Sequence, residues 1–377
     1  MTDSAPLKIL QVLPALNGGG VERGTLEFAR ELVNKGHTSM VLSNGGRMVP
    51  ELEREGSTHY QLPVHKKTLL SLRWVRPVRR LILELKPDII HVRSRLPAWI
   101  VWLAWRGIPE AQRPGLVTTF HGMYSVNPYS AVMAKGQRII AISQCVKAYI
   151  LKNYPVSEDT IRLVHRGVDL NGFTQQQATA AWRKGLHQQY PTLKGKQIIL
   201  MPGRLTRWKG QEQFIEMMAL LIKLNPDCHG VVVGDAEATK RHYRKELKDK
   251  VDALGLNDDI TFVGHRSDMQ SFYALAKVVC HMSNKPEPFG RTVTEALAVG
   301  TPVVGFDRGG ASESLQACFP QGLVEPDNLE QFSERVNQQL DFNGEIKLPQ
   351  AFLLAQQVKL TLAAYRELLD SGLSCND

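Results

Sequence analysis

Residues 287–313 read EPFGRTVTEALAVGTPVVGFDRGGASE, and this stretch indicates the class of fold. Its Phe289-Gly290 pair predicts a turn, a helix follows from about Arg291, and the apolar run at 302–305 predicts a buried strand. A second glycine pair, Gly309-Gly310, comes shortly after that strand. A loop, a helix and a strand in this order form one unit of a parallel α/β sheet.

The polar side chains of the same stretch suit a ligand rich in hydroxyl and phosphate groups. Glu287 and Glu295 enclose the turn and the start of the helix. Carboxylates accept hydrogen bonds from sugar hydroxyls, and the free N–H groups of a helix start attract phosphate oxygens. The alternative is an ordinary loop whose glutamates are solvated, since charged side chains usually lie at the surface. The glycine pair and Glu313 favour the ligand-binding interpretation.

Length and composition predict two globular domains in the cytoplasm. A chain of 377 residues exceeds the size of one typical core. The five cysteines are scattered, odd in number and without a Cys-x-x-Cys pair, which predicts reduced thiols and no zinc site. The N-terminus lacks the pattern of a secretion signal, and no apolar run reaches the length of a membrane-spanning helix.

The positive charge lies in the first half of the chain. Residues 1–180 carry 23 Lys and Arg against 13 Asp and Glu, a net charge of +10, whereas residues 181–377 carry 23 against 24, a net charge of −1. Such asymmetry predicts an anionic partner for the first half alone: a membrane surface, a nucleic acid or an acidic substrate.

Apolar runs alternate with helical patterns in two series, which predicts an α/β protein with two doubly wound, Rossmann-like domains. The first covers residues 1–180 and the second 181–349, and a last helix at about 350–370 packs back on the first. Ligands of such sheets bind at the carboxyl ends of the strands, so two domains facing each other across a cleft would bring the strand-end loops together. The predicted strands are Ile9–Leu13, Met40–Ser43, Ile89–Val92, Val117–Phe120, Ile139–Ile142, Ile198–Met201, Gly230–Val233, Ile260–Val263, Val278–Met282 and Pro302–Gly305.

Two of these loops suit phosphate groups. Gly18-Gly19-Gly20 follows the first strand and lets a phosphate approach the backbone, with a flexible turn as the alternative. A dinucleotide fingerprint is not matched, because Arg23 stands at its last glycine. Arg204 and Lys209 follow the first strand of the second domain, where a forked guanidinium and a point charge suit a diphosphate. The alternative there is an exposed basic loop, and the other strand-end loops of that domain include Gly234-Asp235 and Gly264-His265.

The first domain carries candidates for contact with a substrate. His121 ends a strand, either as a satisfied structural residue or as a partner of a substrate hydroxyl. Arg93 and Arg95 follow another strand, where a loop would meet an acidic acceptor, and Tyr124 is a further candidate.

Residues 65–86 contain seven Lys and Arg and one acid, Glu84. Val78 and Ile82 share an apolar helical face, arginines lie towards the other, and Trp74 stands near the start. A basic amphipathic helix of this kind suits an anionic membrane surface. The alternative is an ordinary surface helix packed on the sheet.

Several other chemistries lack their motifs. The chain has no Asp-x-Asp, His-x-x-x-His or Gly-x-Ser-x-Gly, so metal-dependent sugar transfer, zinc hydrolysis and serine hydrolysis have no support. Aromatic and basic residues do not interleave as in a nucleic-acid-binding sheet. We therefore predict no metal, no resident cofactor and no nucleic-acid partner.

These residues together resemble glycosyltransferase family 4, the retaining nucleotide-sugar enzymes with the GT-B fold, over nearly the whole chain. The motifs that carry the resemblance are Gly203-Arg204…Lys209-Gly210, Glu287-Pro-Phe-Gly…Glu295, Gly300-Thr-Pro-Val, Gly309-Gly310…Glu313, the Gly18-Gly19-Gly20 loop with Glu22, His121-Gly122, Ala141-Ile-Ser143 and Gly167-Val168-Asp169.

The resemblance implies a nucleotide-sugar donor on the second domain and an acceptor on the first. It makes Arg204 and Lys209 ligands of the diphosphate, Glu287 a ligand of the transferred sugar and Glu295 a ligand of the ribose. The implied donor-binding residues are Gly19, Gly20, Arg204, Lys209, Gly234, His265, Glu287, Phe289, Gly290, Arg291 and Glu295. The implied catalytic residues are Glu287, His121, Arg204 and Lys209, with His121 touching the donor sugar.

The implied reaction is metal-independent and retains the configuration at the anomeric carbon. The departing phosphate would take the acceptor proton, so that positioning and electrostatic stabilisation do most of the work. Two departures weaken detailed claims about base and acceptor: Arg166 stands where many relatives carry asparagine, and Ala236 where glycine is common. The stretch from Arg93 to Trp99 resembles relatives from bacterial lipopolysaccharide and surface-polysaccharide pathways.

The sequence thus predicts a cytoplasmic glycosyltransferase, peripheral on the inner face of the membrane. It would move a sugar from a nucleotide-diphosphate donor, foremost a UDP-sugar, to a lipopolysaccharide-core or lipid-linked acceptor. A soluble acceptor is one alternative, and a non-catalytic protein that binds nucleotide-sugar or membrane is another. The cluster of Arg204, Lys209, Glu287 and Glu295 favours the enzyme.

Overall fold

The chain divides into two compact units. The computed structural model describes residues 5–236 and 241–373, apart from the side chains of residues 69, 241, 372 and 373. Unit 1 comprises Met1–Gly167 and Leu354–Asp377, and unit 2 comprises Val168–Leu353. The division lies before the predicted boundary at 180/181, because residues 168–180 pack with unit 2: Ser271 Oγ donates to the Gln177 carbonyl at 2.8 Å.

Unit 1 is built on a seven-stranded parallel sheet of order β3-β2-β1-β4-β5-β6-β7. The crossover helices let parallel strands pair side by side, as the alternating sequence pattern requires. The strands are β1 (Lys8–Val12), β2 (Thr38–Ser43), β3 (Thr58–Gln61), β4 (Ile89–Val92), β5 (Gly115–Phe120), β6 (Arg138–Ala141) and β7 (Ile161–Leu163). The α-helices are α1 (Gly20–Asn34), α2 (Val49–Arg54), α3 (Val75–Leu85), α4 (Arg95–Arg106), α5 (Gln144–Asn153) and, from the end of the chain, α13 (Leu354–Leu373).

Unit 2 repeats the arrangement with six parallel strands in the order β10-β9-β8-β11-β12-β13. The strands are β8 (Gln197–Pro202), β9 (Cys228–Val233), β10 (Ile260–Gly264), β11 (Val278–His281), β12 (Val303–Phe306) and β13 (Leu323–Val324). The α-helices are α6 (Ala180–Gln189), α7 (Gln211–Leu224), α8 (Arg241–Ala253), α9 (Met269–Leu275), α10 (Arg291–Val299), α11 (Gly309–Cys318) and α12 (Leu329–Gln339).

The predicted α/β class is confirmed, and the ten predicted strands all occur within a residue or two of their predicted positions. The short edge strands β3, β7 and β13 were not predicted, because they lack the continuous apolar runs of strands buried on both faces. For example, β3 reads THYQ, with no fully buried side chain.

The strand order places a switch point in each sheet, where ligands of such folds bind. In unit 1 it lies between β1 and β4, whose following loops carry Gly18–Gly20 and Arg93. In unit 2 it lies between β8 and β11, whose following loops carry residues 203–210 and Glu287.

Helix α13 packs on the sheet of unit 1. Its apolar face, including Leu354, Val358 and Leu362, joins a buried cluster with Ile9 and Phe28. The Tyr365 hydroxyl, also buried, bonds His91 Nδ1 of β4 at 2.6 Å. The end of the chain therefore completes the core of unit 1. No helix among the described residues is long and apolar enough to cross a membrane.

Candidate active site

The 287–290 loop of unit 2 rests against the start of helix α11. Glu287 and Gly309 form a parallel bridge, and Gly310 N–H donates to the Glu287 carbonyl at 2.7 Å. The two backbones approach so closely that a Cβ on Gly310 would lie 2.2 Å from the Pro288 carbonyl oxygen. The Gly309-Gly310 pair therefore lets the start of helix α11 pack directly against the Glu287 loop.

The Glu287 side chain is buried among polar groups. Its carboxylate oxygen Oε1 lies 2.5 Å from Lys209 Nζ and 3.2 Å from His281 Nε2, and it accepts a hydrogen bond from Ser283 Oγ. Glu287 is 6% exposed. Burial alone raises the pKa of this carboxyl, but the charge and bonds of His281 and Lys209 outweigh it and hold the pKa well below the ordinary range. Glu287 is therefore an ionised carboxylate at neutral pH.

Glu287 should make the stability of unit 2 depend on pH. A carboxyl whose folded-state pKa is depressed stabilises the fold above its unfolded pKa, and that contribution is lost as the pH falls. We expect the difference in unfolding free energy between the native chain and Glu287→Gln to shrink as the pH falls below the ordinary pKa of 4.5. Urea unfolding between pH 3 and pH 7 measures it. A difference that grows towards acid would contradict the ionised, paired state.

Lys209 reaches this site because the loop before helix α7 turns sharply. Residues Arg207–Lys209 form a short 3₁₀ helix, and Gly210 follows with φ 83°. A Cβ on Gly210 would lie 1.9 Å from the Met282 carbonyl oxygen, so only glycine lets this turn close on the end of β11. The approach brings together two loops separated by 78 residues of sequence. Arg204, in the same loop, is exposed.

Glu295 lies on the first turns of helix α10, which begins after Gly290 with φ 76°. Arg291 Nε donates to Glu295 Oε1 at 2.8 Å, and the buried Tyr273 hydroxyl donates to Oε2 at 3.1 Å. These two bonds hold the carboxylate in one orientation and leave lone pairs for further donors.

The remaining predicted donor-binding residues differ in how they are placed. The Phe289 side chain is buried, with its ring centroid 6.2 Å from that of Phe352, so that only its backbone can serve a ligand. A Cβ on Gly234 would lie 1.9 Å from the Gly203 carbonyl oxygen, which places Gly234 at the β8 loop as a packing residue. His265 is exposed at the end of β10.

In unit 1 the glycine loop leads directly into helix α1. The helix begins at Gly20, and its N-cap Gly19 supplies no side-chain cap for the first N–H groups. Arg166 donates a hydrogen bond to the Gly20 carbonyl. The arginine at this position therefore holds the start of α1.

His121 and Arg93 line one small pocket of unit 1, of about 20 Å³. Burial, and then the charges of Arg166 and Arg93, hold the pKa of His121 well below its ordinary value. The other two acceptor candidates are already engaged: Arg95 lies over the Tyr124 ring at 4.7 Å, and Arg95 Nη1 donates to Ser130 Oγ at 3.1 Å. The Tyr124 hydroxyl accepts the His121 backbone N–H at 3.4 Å.

Two residues that contact Glu287, namely His281 and Ser283, were not predicted. Both lie at the carboxyl end of β11, next to the switch point of unit 2, and that position could have drawn attention to them. Arg308, which follows β12, donates to the Ser283 carbonyl at 3.3 Å. Among the described residues no group of three or more His, Cys, Asp or Glu side chains is arranged to hold a metal ion.

Comparison with known proteins agrees with this architecture. The family "Glycosyl transferases group 1" matches residues 183–352, and "Glycosyltransferase Family 4" matches residues 18–171. The structure of a glycosyltransferase from Rickettsia africae ESF-5 is 30% identical, with a TM-score of 0.80 over 97% of this chain and 99% of that chain. The chain is therefore a glycosyltransferase of family 4 with the GT-B fold, so the predicted family and the predicted fold are confirmed.

Two further proteins are similar to parts or all of the chain. Anabaena Alr3699/HepE, solved in complex with UDP and glucose, has a TM-score of 0.75 and 21% identity, over 98% of this chain and 99% of that chain. The lipopolysaccharide core biosynthesis mannosyltransferase LpsB of Rhizobium meliloti is 29% identical over 186 residues, which are 46% of this chain and 52% of that protein.

Proposed function

We propose that this glycosyltransferase transfers a sugar from a nucleoside-diphosphate donor, foremost a UDP-sugar, with retention and without a metal ion. The observation that carries the proposal is the ionised Glu287 in contact with Lys209 at the switch point of unit 2. A carboxylate can accept hydrogen bonds from the sugar hydroxyls, and a neighbouring cation can bind the diphosphate. A nucleoside-diphosphate sugar needs both groups. The complex of Anabaena Alr3699/HepE with UDP and glucose supports the choice of donor.

The resemblance to family 4 supplies the proposed roles, and the contact between Glu287 and Lys209 supports two of them. Lys209 has three N–H donors, so it can bond phosphate oxygens while it keeps Glu287. Arg204 is exposed on the same loop, and its guanidinium can fork onto the diphosphate. Glu287 binds hydroxyls of the transferred sugar, with the backbone of Phe289 and Gly290, and Glu295 binds the ribose. Arg291, His265 and the backbone of Gly234 complete the proposed donor site of unit 2.

In the proposed reaction the bond between the anomeric carbon and the departing phosphate oxygen breaks. The acceptor oxygen forms its bond on the same face, and its proton passes to the departing phosphate. Lys209 and Arg204 stabilise the charge that grows on the leaving diphosphate, which is electrostatic catalysis by groups that are already in position.

A panel of nucleotide sugars tests the donor. We expect one UDP-sugar to raise the unfolding temperature more than any other nucleotide sugar of the panel does. A ligand at 100 times its Kd adds about 2.7 kcal/mol of stability. GDP- and ADP-sugars serve as matched controls. The same donor should release free UDP in the presence of EDTA when an acceptor extract is added. Stabilisation by a GDP- or ADP-sugar alone, or turnover abolished by EDTA, would contradict the proposal.

We propose a lipopolysaccharide-core or other lipid-linked glycan as the acceptor, and an anionic membrane surface as a partner of unit 1. The likeness to LpsB supports the acceptor. The segment 65–86 supports the membrane: Leu70, Leu72 and Leu83 are exposed there at 72%, 47% and 38%, beside exposed arginines of helix α3. A soluble acceptor is the second candidate.

Membrane binding should depend on Arg76 and Arg80. Both are exposed, whereas Arg79 donates to the Ala104 carbonyl at 3.2 Å and belongs to the packing of α3 on α4. Each basic residue near an anionic surface contributes about 1 kcal/mol, so neutralising both to glutamine should weaken binding to phosphatidylglycerol vesicles by roughly 30-fold. Vesicle sedimentation at low salt measures it.

The matched control removes two exposed charges from unit 2, Lys223→Gln with Lys248→Gln, and should bind like the native chain. An equal loss of vesicle binding in both double variants would indicate that the net charge of the protein, and not the segment 65–86, attracts the membrane. Absence of binding by the native chain would favour the soluble acceptor.

A further inference from the structure

Unit 1 contains a small pocket lined by two buried arginines, Arg93 and Arg166. The pocket, of about 20 Å³, lies at the carboxyl ends of β4 and β5. None of the described residues that line it is acidic. The lining residues with polar side chains are His91, Arg93, Thr119, His121, Arg166, Gln357 and Thr361.

Arg93 is the unusual member of this pocket. Its side chain is buried, at 4% exposure, and Nε has no hydrogen-bond partner in the described structure. Its guanidinium carbon lies 5.4 Å from the centre of the Phe28 ring, and no described carboxylate forms an ion pair with it. Burial lowers the pKa of Arg93 to about 10, so the group is still a cation at neutral pH. A buried charge without a counter-charge is costly and is rarely kept without a role.

His121 also has buried polar atoms that lack hydrogen-bond partners. Neither Nδ1 nor Nε2 has a hydrogen-bond partner in the described part of the chain. The neighbouring His91 is the contrast: Tyr365 bonds one of its ring nitrogens at 2.6 Å, and Thr119 bonds the other at 2.5 Å. Where a histidine of this region is structural, both nitrogens have partners, as buried polar groups normally do. His121 therefore calls for a partner that is not part of unit 1.

We propose that Arg93 and His121 bind an anionic oxygen group, a carboxylate or a phosphate, carried by the acceptor. That the acceptor carries this group rests on the proposed function, whereas the anion site rests on the pocket. A guanidinium forks onto two oxygens of a carboxylate or phosphate, and a neutral imidazole can donate one further hydrogen bond. A water molecule or a neutral sugar hydroxyl would satisfy the nitrogens but would leave the Arg93 charge without compensation.

The direct test is anion binding by the whole chain without a donor. Inorganic phosphate and acetate are titrated at constant ionic strength, with calorimetry as the readout. We expect Arg93→Met to weaken binding at least about tenfold, and Arg93→Lys to weaken it less, because the charge stays and the fork is lost. The matched control is Arg54→Met, which removes an exposed arginine of the same unit and should bind like the native chain.

The two probes separate the two sources of the anion. Tighter binding of phosphate indicates an acceptor with a phosphate, and equal or tighter binding of acetate indicates one with a carboxylate. Absence of binding of both probes, or equal binding by native chain and Arg93→Met, would overturn the proposal.

A second readout distinguishes a binding residue from a structural one. If Arg93 is a ligand-binding residue, its charge is uncompensated in the unliganded chain. Arg93→Met should then raise the unfolding temperature of the unliganded chain by about 2–4 °C. Excess phosphate or acetate should reverse the order, because it stabilises only the native chain. A structural Arg93 predicts the opposite: a lower unfolding temperature for Arg93→Met both with and without anion.

Failure of this proposal and failure of the proposed function can be told apart. If the nucleotide sugar is turned over but neither anion binds, the anion site is wrong and the transferase function stands. If an anion binds at Arg93 but no nucleotide sugar is turned over, the site stands and the acceptor interpretation is wrong. If both hold, Arg93→Met should raise KM for an acidic acceptor much more than for the same acceptor with its acid esterified.

Discussion

Glu287→Gln should lower kcat/KM for sugar transfer by about 10²–10³-fold, the usual loss when one preorganised electrostatic group leaves an active site. Glutamine keeps the size of the side chain and removes its charge. Lys209 then loses its 2.5 Å ion pair, and the sugar hydroxyls lose a charged acceptor. Because charge-assisted bonds are replaced by neutral ones, we also expect a loss of about 1–3 kcal/mol in stability. Steady-state kinetics and urea unfolding measure the two effects separately.

Glu216→Gln is the matched control in the same unit. Glu216 bonds Lys250 at the surface, where its side chain is 44% exposed, and surface pairs contribute roughly 0–1 kcal/mol. Its kcat/KM should equal that of the native chain. Equal activity of Glu287→Gln and the native chain would remove Glu287 from the active site, whatever the effect on stability.

Gly310→Ala should disrupt the site without touching a charged residue. The added Cβ would lie 2.2 Å from the Pro288 carbonyl oxygen, and both atoms belong to backbone that helix α11 and the Glu287 loop hold in place. The two segments must separate, which also stretches the bond from Gly310 N–H to the Glu287 carbonyl. We expect a loss of about 2–4 kcal/mol in stability, within the range for a clash in packed structure, and a large fall in kcat.

Gly185→Ala is the control for this variant. Gly185 lies inside helix α6 of the same unit, and a Cβ there would meet no atom within 4 Å. Alanine in a helix interior is favoured over glycine by roughly 0.5–1 kcal/mol, so this variant should be slightly more stable than the native chain. A Gly310→Ala protein with native stability and activity would show that the close approach is not needed.

The sequence alone was sufficient for the class of fold and the family. Apolar runs such as Ile198–Met201 and Val278–Met282 predicted buried parallel strands, since strands covered on both faces must be apolar along their length. The order of strands and helices then predicted two doubly wound units, and their carboxyl ends located the loops of Arg204, Glu287 and His121. The roles of those residues remain predictions.

The sequence could not show which of its charged residues have partners. Arg95 and Arg93 look alike in the sequence, yet Arg95 is packed on Tyr124 and bonded to Ser130, whereas Arg93 is buried and forms no ion pair with any described carboxylate. Likewise, nothing near Glu287 in the sequence indicates Lys209. Local patterns determine helices and strands because those depend on neighbouring residues, so the sequence determined the architecture and the family. Ion pairs join segments far apart along the chain, and therefore only the tertiary structure decided that Glu287 is paired and that Arg93 meets no carboxylate of the described residues.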